Sequence, residues 1–263
     1  MELGLAGKGA LVTGASKGIG KAVAWALAEE GVDVAMCARN GEELERAAKE
    51  IEDATGRTVV PIAADMGNPD DIRRFVAEAA KRLGRIDILV NNAGAAQPGF
   101  VLDLSDEAFV SAIQVKLLGY VRCAREVVPH MRHQGGGCIV MIAGGAGRQP
   151  TASMAAPGIT NAGAINFTKA LADAVAKEKI RVVAISPGLI HTERAQLIQE
   201  TSARQQGVPV EEVARRAVAN TPLARFGETR EIADMVLFLA SDQARFVTGT
   251  HIAVDGGAGR GAF

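Results

Sequence analysis

The chain runs to 263 residues, 48% hydrophobic and 22% charged, with 29 Lys+Arg against 30 Asp+Glu and a formal net charge of -1. That length buries a sizeable core in one large α/β domain or two small ones, and the composition excludes disorder and collagen-like repetition. The near-neutral charge gives no steering toward nucleic acid or anionic lipid, and no apolar run approaches the ~20 residues that span a bilayer.

The opening Met1-Glu2-Leu3-Gly4 lacks the charged-then-apolar pattern of a secretory signal. The first predicted strand, 10–13, runs into Thr13-Gly14-Ala15-Ser16-Lys17-Gly18-Ile19-Gly20 and a helix over 18–30. Glycine serves where a chain turns tightly and where backbone must approach a pyrophosphate with no Cβ in the way. The helix opening there offers unpaired N–H groups and a positive dipole end to an anion. Gly14, Ser16, Lys17, Gly18, Ile19 and Gly20 are therefore candidate dinucleotide-phosphate ligands, their place in the first βαβ unit giving the glycines their weight.

A second strand, 32–37, ends at Ala38-Arg39-Asn40. An acidic residue at that point would bind the adenosine 2′-hydroxyl and repel a 2′-phosphate. Arg39 instead offers a planar cationic fork, with Lys17 as a second cation, so the expected cofactor is NADP(H) in preference to NAD(H). The helix over 42–55 is amphipathic: Leu44, Ala47, Ala48 and Ile51 share an inner face, and Glu43, Glu45, Lys49 and Glu52 point mostly outward.

Further strands are predicted at 59–63, 86–90, 138–142, 182–185 and 251–254, separated by helices over 69–83, 106–133, 154–178 and 228–240. Strands without a polar face belong to a parallel sheet covered on both sides. Strict β-α alternation with right-handed crossovers makes it a doubly wound, mostly parallel seven-stranded sheet of the Rossmann type in a single domain, 1–263. Residues 194–220 break the alternation; they are polar, helical in period and placed to form a lid over a substrate crevice. Cys37, Cys123 and Cys138 form no CxxC pair and read as core residues of a reducing, cytoplasmic compartment. No spacing suggests a metal site.

Three groups of residues now carry a resemblance over nearly the whole chain. They are Thr13-Gly14-(x)3-Gly18-x-Gly20, Asn91-Asn92-Ala93-Gly94, and Pro187-Gly188 with the tail motifs Pro222–Gly227, 238–242, 247–249 and 254–257. In that order they resemble the short-chain dehydrogenase/reductases. The resemblance implies that Asp65 and Met66 flank the adenine, and that Asn91, Ala93 and Gly94 line the adenosine-ribose side. It implies that Pro187, Gly188, Ile190 and Thr192 hold the nicotinamide. It also implies a homodimer or homotetramer packed through the helices at 106–133 and 154–178.

The family's redox chemistry usually rests on Asn, Ser, Tyr and Lys, the last two spaced YxxxK. Here the corresponding positions hold Lys116, Gly144, Pro157 and Asn161, and the chain's single tyrosine, Tyr120, is followed four positions on by Ala124. Proline and glycine offer no proton and no side-chain donor. Lys116 and Asn161 look like the family's lysine and asparagine with places exchanged, which makes them the candidate catalytic pair. Tyr120, one turn beyond Lys116, shares its helix face. His191 stands beside the expected nicotinamide loop, while His130 and His133 end a long helix. Ser153 and Thr160 have no visible activating base.

Three readings stay open on the sequence. One is an NADP(H)-linked oxidoreductase acting on a carbonyl or conjugated enone by a non-standard proton path. Another is a non-redox lyase, decarboxylase, tautomerase or dehydratase working through Lys116. The third is an NADP(H)-binding protein without turnover.

Overall fold

Each predicted strand forms, and the reason is visible in the packing of alternate side chains. In the computed structural model, which describes residues 2–94 and 99–261, β1 (Gly9–Thr13) sends Ala10 and Val12 to one core layer and Leu11 to the other. With both faces covered, every residue of β1 is buried, and an apolar run without alternation results.

The remaining strands are β2 (Asp33–Ala38), β3 (Val59–Ala63), β4 (Ile88–Asn91), β5 (Gly137–Ile142), β6 (Ile180–Pro187) and β7 (Thr250–Val254). They lie all parallel in the order β3-β2-β1-β4-β5-β6-β7. β4 begins two residues later than the apolar pattern suggests. Ile86 has its backbone N–H and carbonyl taken by the Gln134 side chain, at 3.2 and 2.6 Å, rather than by a neighbouring strand.

Helices α1 (Gly18–Glu29), α2 (Gly41–Thr55) and α9 (Thr229–Ala240) cover one face, with Val23, Leu27, Leu44, Ile51, Ile232 and Val236 in the core. Helices α3 (Pro69–Leu83), α5 (Gly119–His133) and α6 (Ala155–Val175) cover the other, with Phe75, Tyr120, Val127 and Ala164. Side-chain caps fix the starts of α2 and α3. Asn40 accepts from the N–H of Glu43, and Asn68 accepts from those of Asp70 and Asp71.

Two stretches depart from the simple pattern. The helix expected over 106–133 is α4 (Asp106–Ala112), a π-helical turn at Ile113–Leu118 and then α5, so one wide turn sits in the middle of a continuous helix. Such turns carry an inserted residue and recur at functional sites. Residues 194–220, expected as one helical excursion, form α7 (Glu193–Gln206) and α8 (Val210–Val218), broken at Gly207, whose left-handed φ of 64° ends α7. Among the described residues no helix is long and apolar enough to cross a membrane.

Strand order reverses between β1 and β4. In a doubly wound sheet the crevice at the carboxyl ends of those two strands is where a ligand binds, and the residues that follow them form the floor of the site.

Candidate active site

The turns leaving β1 and β4 are stitched to each other. Thr13 Oγ1 accepts from the backbone N–H groups of Asn92 and Ala93, both at 3.0 Å. Asn92 Nδ2 donates to the carbonyls of Thr13 and Gly14, also at 3.0 Å. Thr13 and Asn92 had no role assigned from sequence, although both stand in the motifs.

The glycines are what permit this closeness. Gly14 has a left-handed φ of 66°, and a Cβ on it would lie 2.9 Å from Ala93 Cα. A Cβ on Gly20 would lie 2.2 Å from the Gly14 oxygen and 2.6 Å from Asn92 Nδ2. Gly18 faces the mouth instead, its Cβ position 3.5 Å from Thr192 Cγ2, so Thr192 and the start of α7 close over the glycine loop. Ile19 packs partly buried against the core. Thr192 caps α7 by accepting from the N–H of Ala195.

The loop after β6 is held from below. Gly188 lets Asp255 approach, a Cβ there meeting Asp255 Cα at 2.7 Å. Ile190 bridges to Gly227, and Pro187 closes β6 in register with Val254. His191 is exposed, its ring 4.8 Å from that of Phe226.

At the end of the crevice expected to meet the adenosine, one side chain departs from expectation. Glu43, expected to point outward, turns toward the glycine loop. Its carboxylate accepts from Ser16 Oγ at 2.8 Å and from Lys17 Nζ at 3.1 Å. These two hydrogen bonds, the Ser16 one first, hold its pKa below the ordinary carboxylate value. Arg39 is exposed and, among the described residues, makes no ion pair. Met66 buries its side chain in the core, its sulfur 3.9 and 3.7 Å from those of Cys37 and Cys123, and so its side chain belongs to the core layer. Asp65 accepts from the N–H of Gly67 at 2.9 Å.

Among the four positions singled out above, Gly144 and Asn161 are in contact, with Pro157 on the same helix as Asn161 and Lys116 in the π turn. The N-terminal turns of α6 dock on the turn after β5. A Cβ on Gly144 would lie 3.0 Å from Asn161 Nδ2, one on Gly147 2.8 Å from Asn161 Cβ, and one on Gly158 3.1 Å from the Ala146 oxygen. Pro157, one turn before Asn161, is buried beside them. Asn161 is only 4% exposed and, among the described residues, its Oδ1 has no hydrogen-bond partner. Asn91, fully buried, points its amide nitrogen at Met141 Sδ, and its Oδ1 is likewise unpartnered.

Lys116 sits in the π turn. Leu117 next to it fills the space left by Gly163 of α6, where a Cβ would be 2.8 Å away. The Lys116 stem lies on Gly94, a Cβ there meeting Cδ at 3.0 Å, and Nζ stands 5.9 Å from the centroid of the Tyr120 ring. Desolvation, with Arg194 of α7 adding like-charge repulsion, lowers the ammonium pKa to about 8. Tyr120 itself is a core residue, 1% exposed, its hydroxyl donating to the Ile142 carbonyl at 2.9 Å. Burial raises its pKa. The single phenol of the chain is thus spent inside the core. Thr160 is spent too, donating to the carbonyls of Ala156 and Pro157.

Sequence reasoning missed one further arrangement. His251 Nε2 lies 2.6 Å from Ser186 Oγ, Ser186 donates to the Ala143 carbonyl, and Arg148 Nη1 stands 3.5 Å from His251 Nδ1. The chain of groups ties β6, β7 and the turn after β5 to the carbonyl just before Gly144. Desolvation first, then Arg148, lowers the His251 pKa, against a smaller opposing pull from Asp255. No sequence motif joins residues so far apart in the chain.

Comparison with known proteins fits this geometry. A family model described as Enoyl-(Acyl carrier protein) reductase matches residues 14–259. The chain is 36% identical over 253 residues to the 3-oxoacyl-[acyl-carrier-protein] reductase FabG of Thermotoga maritima, covering 96% of this chain and 98% of that one. L-sorbose reductase from Gluconobacter frateurii, solved with NADPH and L-sorbose, superposes with a TM-score of 0.96 at 32% identity, covering 99% of this chain and 100% of that one. NAD+-bound xylitol dehydrogenase superposes with a TM-score of 0.90 at 30% identity, covering 97% and 100%.

Proposed function

The chain is an oxidoreductase of the short-chain dehydrogenase/reductase family, and on that premise we propose that it uses NADP(H) to act on a carbonyl or conjugated enone, with Lys116 in place of the missing phenol. The observation that carries the reading is the placement of Lys116, its stem on Gly94 of the turn after β4 and its amine lowered to about 8 by desolvation, while Tyr120 is buried and occupied.

The residues present fit a pyridine nucleotide. The glycine loop and the 91–94 turn supply backbone at the switch point, and the buried, unpartnered Asn161 Oδ1 is an acceptor suited to a ribose hydroxyl. Arg39, exposed just past β2, would pair with a 2′-phosphate, and the preference for NADP(H) rests on it and on the NADPH found in the sorbose reductase. Bound there, the nicotinamide would supply or accept a hydride. Lys116 as an ammonium would protonate or stabilise the oxygen on which negative charge develops, a task worth about 10²–10⁴ in rate. An enolate from a conjugated C=C asks for stabilisation more than for immediate protonation, which suits a cation without a phenol. Helices α7 and α8 serve as the lid over the substrate.

The assembly we infer is a homodimer or homotetramer in the cytoplasm, in which a second copy covers the exposed Val110 of α4 and Ile159 of α6. The same lowered amine also suits a Schiff base with a carbonyl substrate, which borohydride trapping and mass spectrometry on Lys116 would reveal.

The deciding experiment follows NADPH oxidation against a panel of ketones, quinones and enones. Reduction is expected for at least one class, its rate falling as pH rises through about 8 because the acid form of Lys116 is lost. Silence across the panel, with nucleotide binding demonstrated, overturns the redox reading.

A further inference from the structure

The most unexpected side chain of the crevice is Glu43. It begins on the first turn of α2, where its own N–H is held by Asn40, and both its carboxylate oxygens are used, one by Ser16 and one by Lys17. The two donors come from the glycine loop, from the stretch that faces the adenosine end of a dinucleotide. The carboxylate is half-buried there, 29% exposed, whereas Lys17 reaching to it is 57% exposed. An anion is therefore already seated between a hydroxyl and an ammonium, groups that a phosphate monoester would also recruit. Arg46 of α2 adds a further attractive charge to Glu43, while Arg39, exposed at the end of β2, has no carboxylate of its own among the described residues.

We propose that the Glu43 carboxylate is a built-in occupant of the adenosine 2′-phosphate subsite, holding Ser16 and Lys17 until a phosphate displaces it. The idea deepens the cofactor reading above and rests on it. A 2′-phosphate must turn Glu43 away before Ser16 and Lys17 can serve it, and it meets like-charge repulsion until it does. A 2′-hydroxyl displaces nothing. Glu43 thus narrows the margin by which this chain prefers NADPH over NADH, and Arg39 must recover it.

The test is direct binding, by calorimetry or nucleotide fluorescence, of NADPH, NADH, 2′-AMP and 5′-AMP to the parent protein and to Glu43→Gln. The variant is expected to bind NADPH and 2′-AMP about tenfold more tightly, since one charge-assisted contact no longer has to be given up. NADH and 5′-AMP should change by less than about twofold. Glu43→Ala, which also removes the hydrogen bonds, is expected to give the same ranking, and thermal melts without nucleotide show that both variants fold. Unchanged NADPH affinity in both variants overturns the proposal. Loss of NADH affinity alone overturns it as well, by making Glu43 the acceptor of a ribose hydroxyl. Failure of every nucleotide to bind every protein removes the cofactor reading and this inference together, an outcome distinct from either.

Discussion

The floor of the crevice and its far wall are built on opposite principles. In the floor, where the turns after β1 and β4 meet, most polar groups satisfy one another: Thr13 accepts two backbone N–H groups and Asn92 donates to two carbonyls, the Oδ1 of Asn91 at the end of β4 standing apart. Glycine contacts leave no room to spare. In the wall, where α6 meets the π turn, polar groups are held in place and left unused. Asn161 keeps a buried oxygen without a partner, and Lys116 is desolvated without a carboxylate beside it among the described residues. A closed network specifies a backbone shape, whereas open valences specify a ligand. Four experiments test that contrast.

The largest effect belongs to the wall. Lys116→Met keeps the aliphatic stem on Gly94 and removes only the charge. Turnover should fall by about 10²–10⁴ if the amine is the acid, with nucleotide affinity changed by no more than a few-fold. Single-turnover kinetics beside a binding titration separate the two, and a variant as fast as the parent would remove Lys116 from the chemistry.

The floor should respond in stability instead. Gly20→Ala drives a Cβ to 2.2 Å from the Gly14 oxygen, a backbone atom that cannot swing aside. Overpacking of that kind costs about 1–3 kcal/mol, read from denaturant unfolding, and nucleotide binding should go with it. Gly145→Ala is the matched control on the wall. Nothing lies within 4 Å of that Cβ position, and its φ is not left-handed, so its cost should stay within about 0.5 kcal/mol. Equal losses in the two variants would abolish the distinction between a closed floor and an open wall.

How much of this was legible follows the same division. The floor was readable because its requirement is local. Gly14, Gly18 and Gly20 stand within seven residues of one another, directly after a strand. The all-parallel sheet was readable because strands such as β1 have no polar face. The wall was readable only as a set of absent groups. That Pro157, Gly144 and Asn161 converge depends on how closely α6 approaches the turn after β5, and periodicity does not report distance between elements. The π turn was invisible, since one extra residue in a 28-residue helical stretch hardly disturbs its apolar pattern. Glu43 was placed outward for a related reason. Amphipathicity tells which side of α2 faces the sheet and is blind to a neighbouring loop that reaches over the flank.

Asn161→Leu sharpens the contrast with a change of sign. Removing a buried acceptor that has no partner should stabilise the protein without nucleotide, by about 1 kcal/mol, because burying an unsatisfied amide costs roughly that. The same change should weaken nucleotide binding by about tenfold, equivalent to roughly 1.4 kcal/mol. Loss of stability with binding intact would make Asn161 an ordinary packing residue.

The smallest effect tests whether the wall is also held from outside the crevice. With Ser186 donating to the Ala143 carbonyl, His251 must present an Nε2–H to Ser186 and receive Arg148 at Nδ1, which fixes a neutral ring. A folded-state pKa below the usual 6.5 means that, as pH falls past that value, the unfolded chain takes up a proton that the folded chain refuses. The stabilisation is therefore complete above pH 6.5 and is lost on acidification toward the folded value. Protonation at that point would set a second cation against Arg148 and strip Nδ1 of its acceptor role. Unfolding free energies of the parent and His251→Gln, compared between about pH 5 and pH 8, should converge as the solution is made acidic. Parallel curves would show that His251 titrates alike in both states, leaving the turn after β5 to be held by α6 alone.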